Sequence, residues 1–502
     1  MKIQNPIIRG FNPDPSVCRV GADYYLATST FAYFPGVPIY HSRDLACWRL
    51  IGHALDRPSQ LDLTKADNAG GIFAPTLRYH DGRFYMVTTR MGGKGNFLVT
   101  AKNPSGPWSE PIWIDAENFD PSLLFDDDGT VYYTRRAHQS VVQATINPVT
   151  GELTSPLQTI SGNFVATDIE GPHLYQINGF YYLVAAEGGT RSGHCVTVGR
   201  SSSPWGPFES CPANPVLSHR SLSGNPIRDT GHAEFIQTED GSWVVFFLAA
   251  RASNYEGFPH LGRETYVAPL EWRDGWPVIN GEKPITFDLD IPTGSLEPHP
   301  WPTEPSRDEF DAPVLSSGWI HLRNPPEGSF SLTERPGFLR LHGTKHALSE
   351  PAPVAFVGRR QTEFVQRLCA QIEFDPLRES DEAGISVFMN ERHFYALAIT
   401  GERGGTRRII VRRRVDDFYI VAAESPVPAG LVTLAIDGER GCYHFRYRVS
   451  DGEWQSLGSF VSKHLAPEMA GTWTGVVWAL YATGNGEPCA APADYDWCEW
   501  PV

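Results

Sequence analysis

Asn118-Phe-Asp-Pro-Ser-Leu-Leu-Phe125 decides the fold, because versions of it recur through the first half of the chain. Its echoes are Asn12-Pro-Asp14-Pro-Ser-Val, Ile72-Phe-Ala74-Pro-Thr-Leu, Ile169-Glu170-Gly-Pro-His-Leu and Thr230-Gly-His232-Ala-Glu-Phe. Each unit runs from a small or polar residue, usually through proline, into an apolar stretch. An aromatic strand signal follows about ten to twelve residues later, at Tyr24, Tyr85, Tyr132, Tyr181 and Trp243. Five units at intervals of roughly fifty residues read as a radial β-repeat, one blade per unit. In a propeller the first strand of every blade runs along the central channel, so equivalent positions converge on one axis. Asp14, Asp120, Glu170 and His232 are therefore expected to meet at one end of that channel.

A second register supports the first. Ile39-Tyr-His-Ser-Arg-Asp-Leu-Ala-Cys-Trp48, Val99-Thr-Ala-Lys-Asn-Pro-Ser-Gly-Pro-Trp108 and Val198-Gly-Arg-Ser-Ser-Ser-Pro-Trp205 share a strand, a polar turn and a tryptophan. Asp81-Gly, Asp127-Asp-Gly, Asn178-Gly and Asp240-Gly each stand just before an aromatic strand, as hairpin turns do. The Asp126-Asp-Asp-Gly129 cluster is read as such a turn rather than as a calcium loop.

With 502 residues the chain exceeds one ordinary core, and two domains are expected. The 12% aromatic content, 47 glycines and 41 prolines favour many short strands. A net charge of −16 argues against a nucleic-acid partner and leaves a neutral substrate unaffected. The amino-terminal stretch shows no signal-peptide pattern, no apolar run reaches transmembrane length, and the eight cysteines lack paired or metal-ligand spacing. These features predict a cytoplasmic protein with reduced thiols and no membrane partner.

The blade pattern ends with Thr265-Tyr-Val-Ala-Pro-Leu-Glu-Trp272 and Gly275-Trp-Pro-Val-Ile279. The proline-rich stretch Pro292–Pro305 follows, read as a linker or a surface strap. The predicted division is a β-propeller over 1–300, a linker over 301–306 and a second domain over 307–502. The last contains alternating runs such as Cys369-Ala-Gln-Ile-Glu-Phe374 and Tyr443-His-Phe-Arg-Tyr-Arg448, which indicate a β-sandwich. The whole chain is thus expected to be all-β. Arg407, Arg408 and Arg412 to Arg414 are expected on a solvated strand face.

These stretches carry a resemblance. Asn12-Pro-Asp-Pro-Ser, Phe31-Ala-Tyr-Phe-Pro-Gly-Val-Pro-Ile-Tyr-His-Ser, Phe73-Ala-Pro-Thr-Leu-Arg-Tyr-His-Asp-Gly, Asp120-Pro-Ser, Glu170-Gly-Pro-His-Leu-Tyr, Gly188-Gly-Thr and Leu261-Gly-Arg-Glu-Thr stand in the order of glycoside hydrolase family 43. The chain resembles that family's exo-acting β-xylosidase and α-L-arabinofuranosidase branch, and its second domain resembles the branch's concanavalin-like, jelly-roll sandwich. The resemblance implies a five-bladed propeller and an inverting mechanism. It implies Asp14 as general base, Glu170 as general acid and Asp120 as the residue that orients Glu170 and tunes its pKa. It further implies that Arg263 contacts the terminal sugar, that Phe31, Phe73 and Phe119 line the pocket, and that Trp473 reaches its rim from the sandwich. Relatives usually carry tryptophan where this chain has Phe73, so the aromatic platform is smaller here. His232 is expected to hold Asp120 or a channel water. No cofactor is required, although in some relatives the matching histidine helps bind calcium at the propeller axis.

The chemistry explains why acids would converge. Inverting hydrolysis needs two carboxyl groups in opposite protonation states, separated by about 6.5–9.5 Å to admit the attacking water. One takes the water's proton and the other protonates the leaving oxygen. A third carboxylate nearby raises the acid's pKa. The expected partners are xylo-oligosaccharides, or arabinoxylo-oligosaccharides if arabinofuranose is the main sugar, and a homo-oligomer is compatible with what the resemblance implies. A non-catalytic glycan-binding propeller would have lost at least one of the acids. A retaining fructan hydrolase would need a nucleophile motif that is not found.

Overall fold

The computed structural model describes residues 1–253, 257–292, 296–402 and 405–502, so Thr293 to Ser295 of the proline-rich stretch lie outside the described residues. Five antiparallel sheets of four or five strands make up the first domain. Their innermost strands are Ser16–Val20, Thr76–His80, Ser122–Phe125, Glu170–Ile177 and Ile227–Gln237. Four of these strands thus begin within one of the repeated units, and the fifth, Ile227–Gln237, contains the whole of its unit. The aromatic signals all fall on second strands: Asp23–Ala27, Arg83–Met91, Val131–Ala137, Phe180–Glu187 and Trp243–Arg251. There their rings pack between blades, as Tyr24 and Tyr181 do in two separate apolar clusters.

The hairpins follow from local chemistry. Both residues of Asp81-Gly82 and of Asn178-Gly179 have positive φ, the signature of a tight turn matched to strand twist. In Asp126 to Gly129 the turn closes by backbone bonds from Asp126 to Thr130 and from Gly129 to Asp126. The ring of blades is closed by the amino-terminal segment. Lys2–Gln4 pairs with Asp288–Asp290, Ile8 bridges Thr265, and the Asn12 amide donates to Arg263 O at 3.0 Å.

The proline-rich stretch is a strap rather than a free linker. The His299 amide donates to Asp44 Oδ2 at 2.7 Å, and Trp301 lies under Arg49 and donates to Cys47 O. Arg307–Asp308 then pairs with the last strand of the chain, Ala493–Glu499. That domain is a sandwich of one eight-stranded and one six-stranded sheet around a single large apolar core. The arginine run does not simply face solvent. Arg407 is buried against the carbonyls of Pro428 and Gly430, Arg412 pairs with Glu382, and Arg413 and Arg414 lie over aromatic rings. Alternation along a strand shows which residues share a face; the pairing and stacking that cover these cations come from neighbouring strands.

All eight cysteines are free thiols, and no described helix is long and apolar enough to cross a membrane.

The two domains share a core. Phe11, Phe31 and Tyr33 of the propeller pack with Ile320, Phe356 and Phe388 of the sandwich, and Tyr33–Phe34 pairs with His321–Leu322 as a small sheet between them. Arg323 is fully buried at this seam, donating to Ala66 O at 2.7 Å and to Glu391 Oε1 at 2.6 Å. Removing one partner of a buried ion pair leaves an uncompensated charge. Arg323→Ala is therefore expected to lower stability by about 3–5 kcal/mol, read as a fall in the urea midpoint.

Candidate active site

At one end of the propeller axis lies a cavity of about 370 Å³, toward the small end of the range of ligand pockets. Asp14, Phe31, Phe73, Phe119, Asp120, Glu170, His232, Arg263 and Trp473 all line it. Every residue singled out from the sequence is thus brought to one place. The backbone explains how their side chains reach it. Asp14, Asp120 and His232 hold φ values of 56, 57 and 49, the left-handed region sparsely used by non-glycine residues. Register shifts interrupt the ladder between Glu170 and His173 and on both sides of Gly231. Such bulges re-aim side chains at strand ends, here toward the channel mouth.

Asp14 is buried yet held as the anion. Ser29 Oγ donates to its Oδ2 at 2.5 Å, and Arg263 donates to its Oδ1 at 3.0 Å. His232 Nδ1 stands 3.7 Å from the same Oδ1. Burial alone would raise the pKa, but the Arg263 guanidinium, His232 and the Ser29 bond outweigh it and hold the carboxyl below its usual range. Arg263 is itself fixed by Thr190 Oγ1 at 2.9 Å and Trp473 O at 3.1 Å.

Glu170 behaves oppositely. Burial pushes its carboxyl up to about 7, with Arg136 opposing and the Asp14 charge adding to the rise. Asp120 is also raised well above its ordinary value, by burial first and then by the charges of Glu170 and Asp14. It accepts the Gly171 amide at 3.0 Å, which ties it to the residue that follows Glu170. At neutral pH the site therefore combines one firmly ionised carboxylate with a neighbouring pair that retains a proton.

His232 does not hold Asp120. Its ring lies against the Cα of Gly171, where an added Cβ would come within 2.7 Å of it, and its Nδ1 faces Asp14. It supports Asp120 only through that glycine. Three further groups at Glu170 and Arg263 escaped the sequence reading. Arg136 lies over the Phe119 ring at 4.7 Å and donates to Glu170 Oε2 at 3.4 Å. His194 Nε2, buried and without a hydrogen bond, stands 3.6 Å from Glu170 Oε1. Its Nδ1 meets Asp229 O at 3.0 Å, and burial depresses its pKa to about 3, so the imidazole is neutral. With its proton on Nδ1, its other nitrogen presents a lone pair toward the carboxyl that must stay protonated. Thr190 completes the set through Arg263. Of the three, only Thr190 lies within one of the stretches that carry the family resemblance, Gly188-Gly-Thr; the other two lie in none of them.

The aromatic wall is continuous. Phe31, Phe73 and Phe119 form a chain with centroid separations of 5.2 and 5.5 Å. Trp473 enters from the sandwich, 37% exposed, with Arg191 over its ring. This reach depends on close backbone approach: a Cβ on Gly475 would lie 2.1 Å from Leu261 O, and one on Gly262 would lie 2.7 Å from Gly475 Cα.

Behind His232 the axis holds a fixed cation. Arg78 pairs with Glu234 and donates to His173 Nδ1 at 3.2 Å, and the His173 ring faces that of His232 at 6.4 Å. Glu234 also accepts the Val17 amide at 2.8 Å. Calcium takes about six to eight oxygen ligands. Here the carboxylates of Asp14 and Glu234 are already committed, the remaining donors are imidazoles, and a guanidinium already supplies positive charge. The donor set does not suit a calcium ion.

A five-bladed propeller with an ionised and a protonated carboxyl at its axial pocket has the equipment of an acid–base glycoside hydrolase. Residues 3–277 match the profile of glycosyl hydrolases family 43, and residues 307–501 match the β-xylosidase C-terminal concanavalin A-like domain. The chain belongs to glycosyl hydrolases family 43. It is 42% identical to a protein of Bacteroides ovatus named non-reducing end α-L-arabinofuranosidase, over 99% of this chain and 94% of that one. It is 38% identical to a putative β-xylosidase of Escherichia coli, over 99% of both. Among solved structures, xylan β-1,4-xylosidase from Bacillus halodurans superposes with a TM-score of 0.94 at 34% identity, covering all of both chains.

Proposed function

We propose that this protein is an inverting exo-glycosidase that releases xylose from the non-reducing end of β-1,4-xylo-oligosaccharides. The observation that carries the reading is the meeting of Asp14, bonded to Arg263 and Ser29, with Glu170 in one pocket that the sandwich's Trp473 helps to enclose. Asp14, kept ionised by Arg263 and Ser29, takes a proton from the attacking water. Glu170, kept protonated by burial, gives its proton to the leaving glycosidic oxygen. Asp120 orients Glu170 through Gly171 and shares in holding its proton. The phenylalanine wall offers apolar faces to the sugar, and Arg263 meets its hydroxyls beside Asp14.

Arabinofuranoside hydrolysis is the second reading. It is favoured by the 42% identity to a protein named for that activity and by the smaller platform that Phe73 makes.

Proton NMR during turnover of xylobiose, with an α-L-arabinofuranosyl oligosaccharide in parallel, tests both. α-Xylose appearing first supports the xylosidase and the inversion together. Cleavage of the arabinofuranoside alone reverses the ranking, and first-formed β-xylose overturns the mechanism.

Glu170 must be protonated, so kcat/KM is expected to hold on the acid side of pH 7 and to fall about tenfold per unit above it. Arg136 opposes the rise in this carboxyl's pKa, so Arg136→Met is expected to move that limb to higher pH. A limb left in place would remove Arg136 from the account of Glu170.

We further read the axis as closed by Arg78 and hydrolysis as independent of a divalent metal. EDTA at millimolar concentration is then expected to leave kcat unchanged; a loss restored by calcium would reject this.

A further inference from the structure

We propose that the hairpin between the sandwich strands Val432–Glu439 and Cys442–Val449 carries a zinc site formed by Glu439, Cys442 and His444. Glu439 and Cys442 face each other across the two-residue turn Arg440-Gly441, the last pair of their ladder. His444, two residues further along the same strand, returns to the face that Cys442 occupies. One thiol, one imidazole and one carboxylate are thereby presented by a hairpin whose turn contains a positive-φ glycine.

The distances suit a shared ion. Zinc binds sulfur at about 2.3 Å and nitrogen or oxygen at about 2.0–2.2 Å, so a tetrahedral site puts its sulfur and nitrogen about 3.6 Å apart and its nitrogen and oxygen about 3.4 Å apart. Cys442 Sγ lies 3.2 Å from His444 Nε2, and Glu439 Oε2 lies 3.4 Å from the same nitrogen. The three donor atoms fall within 4.8 Å of one another. An S–H donated to Nε2 accounts for the first contact but leaves the second as two acceptors face to face. A cation between them satisfies both.

The surroundings supply what a metal-bound histidine needs. His444 Nδ1 meets Ser459 Oγ at 2.6 Å; with the proton on Nδ1, this bond fixes the tautomer that leaves Nε2 free to coordinate. Glu439 and His444 also border a surface cavity of about 580 Å³, from which water can take the fourth position. A thiolate and an imidazole select zinc over calcium or magnesium, which prefer oxygen. On binding, the Cys442 thiol releases its proton to solvent as the sulfur–zinc bond forms. The side chains of Glu439 and His444 are 62% and 32% exposed, so the ion can enter without unfolding the sandwich.

The test uses the full chain, reduced and stripped of metal by chelator. One equivalent of Co²⁺ is expected to give a near-ultraviolet thiolate-to-cobalt charge-transfer band, and one equivalent of Zn²⁺ to abolish it. Cys442→Ser is expected to remove the band, and Ser459→Ala to weaken binding by about tenfold through the lost orienting bond. Without any substitution, Zn²⁺ is expected to slow alkylation of Cys442 by iodoacetamide at least tenfold, read by peptide mass spectrometry, while Cys47 and Cys489 react as before. Absence of both the band and the protection at stoichiometric metal overturns the proposal. So does a band that survives in Cys442→Ser.

Discussion

Asp14→Asn is expected to lower kcat by about 10³–10⁴-fold, at the upper end of what a positioned general base contributes. The loss is expected to be the same for xylobiose and for an aryl β-xyloside with an activated phenolate leaving group. Water must lose its proton whichever group departs, so improving the leaving group cannot compensate for a missing base. Asparagine can keep a hydrogen bond to Ser29, and Arg263 retains Thr190 Oγ1 and Trp473 O, so the variant should fold. A second readout separates this role from a structural one. The Asp14 charge contributes to the raised pKa of Glu170, so its removal should move the residual basic limb below pH 7. A loss under tenfold, or one confined to poor leaving groups, would remove Asp14 from the role of base.

The parts of this site that the sequence discloses are those the repeat itself places. Asp14 and Asp120 occupy the same point of two blades, and both take the same left-handed backbone, so an echo in sequence corresponds to an echo in geometry. The blade count and the hairpins were legible for the same reason: each is specified within a few residues. His194 and Arg136 were not. They lie in a loop and on a second strand, and nothing about their neighbours in sequence announces that they face Glu170. Their placement comes from packing between adjacent blades, which no single repeat encodes. His232 shows a subtler limit. Its equivalence to the acids was correct, but equivalence does not say which acid a ring will face, and the bulges around Gly231 turn it toward Asp14. The arginine run illustrates the same limit in the sandwich, where Glu382 and Tyr395, remote in sequence, cover cations that a strand pattern alone assigns to solvent.

Glu170→Gln should give the opposite pattern to Asp14→Asn, and the contrast identifies the two roles. With xylobiose the leaving group is a sugar hydroxyl that must be protonated as it departs, and kcat is expected to fall by about 10³-fold. With a dinitrophenyl β-xyloside the phenolate leaves without help, and kcat is expected to stay within about tenfold of the unmodified enzyme. The fall in activity above pH 7 should also vanish, because the group whose deprotonation causes it is gone. Asp120 provides an internal control. Its carboxyl is raised by burial and by Glu170, so neutralising Glu170 removes a like charge and should let Asp120 ionise more readily. That ionisation places a negative charge beside the glutamine but restores no acid, so it cannot rescue xylobiose hydrolysis. If Glu170→Gln instead lost both substrates equally, the glutamate would act in binding rather than proton transfer. The burial that sets its pKa near 7 would then serve only to shape the pocket.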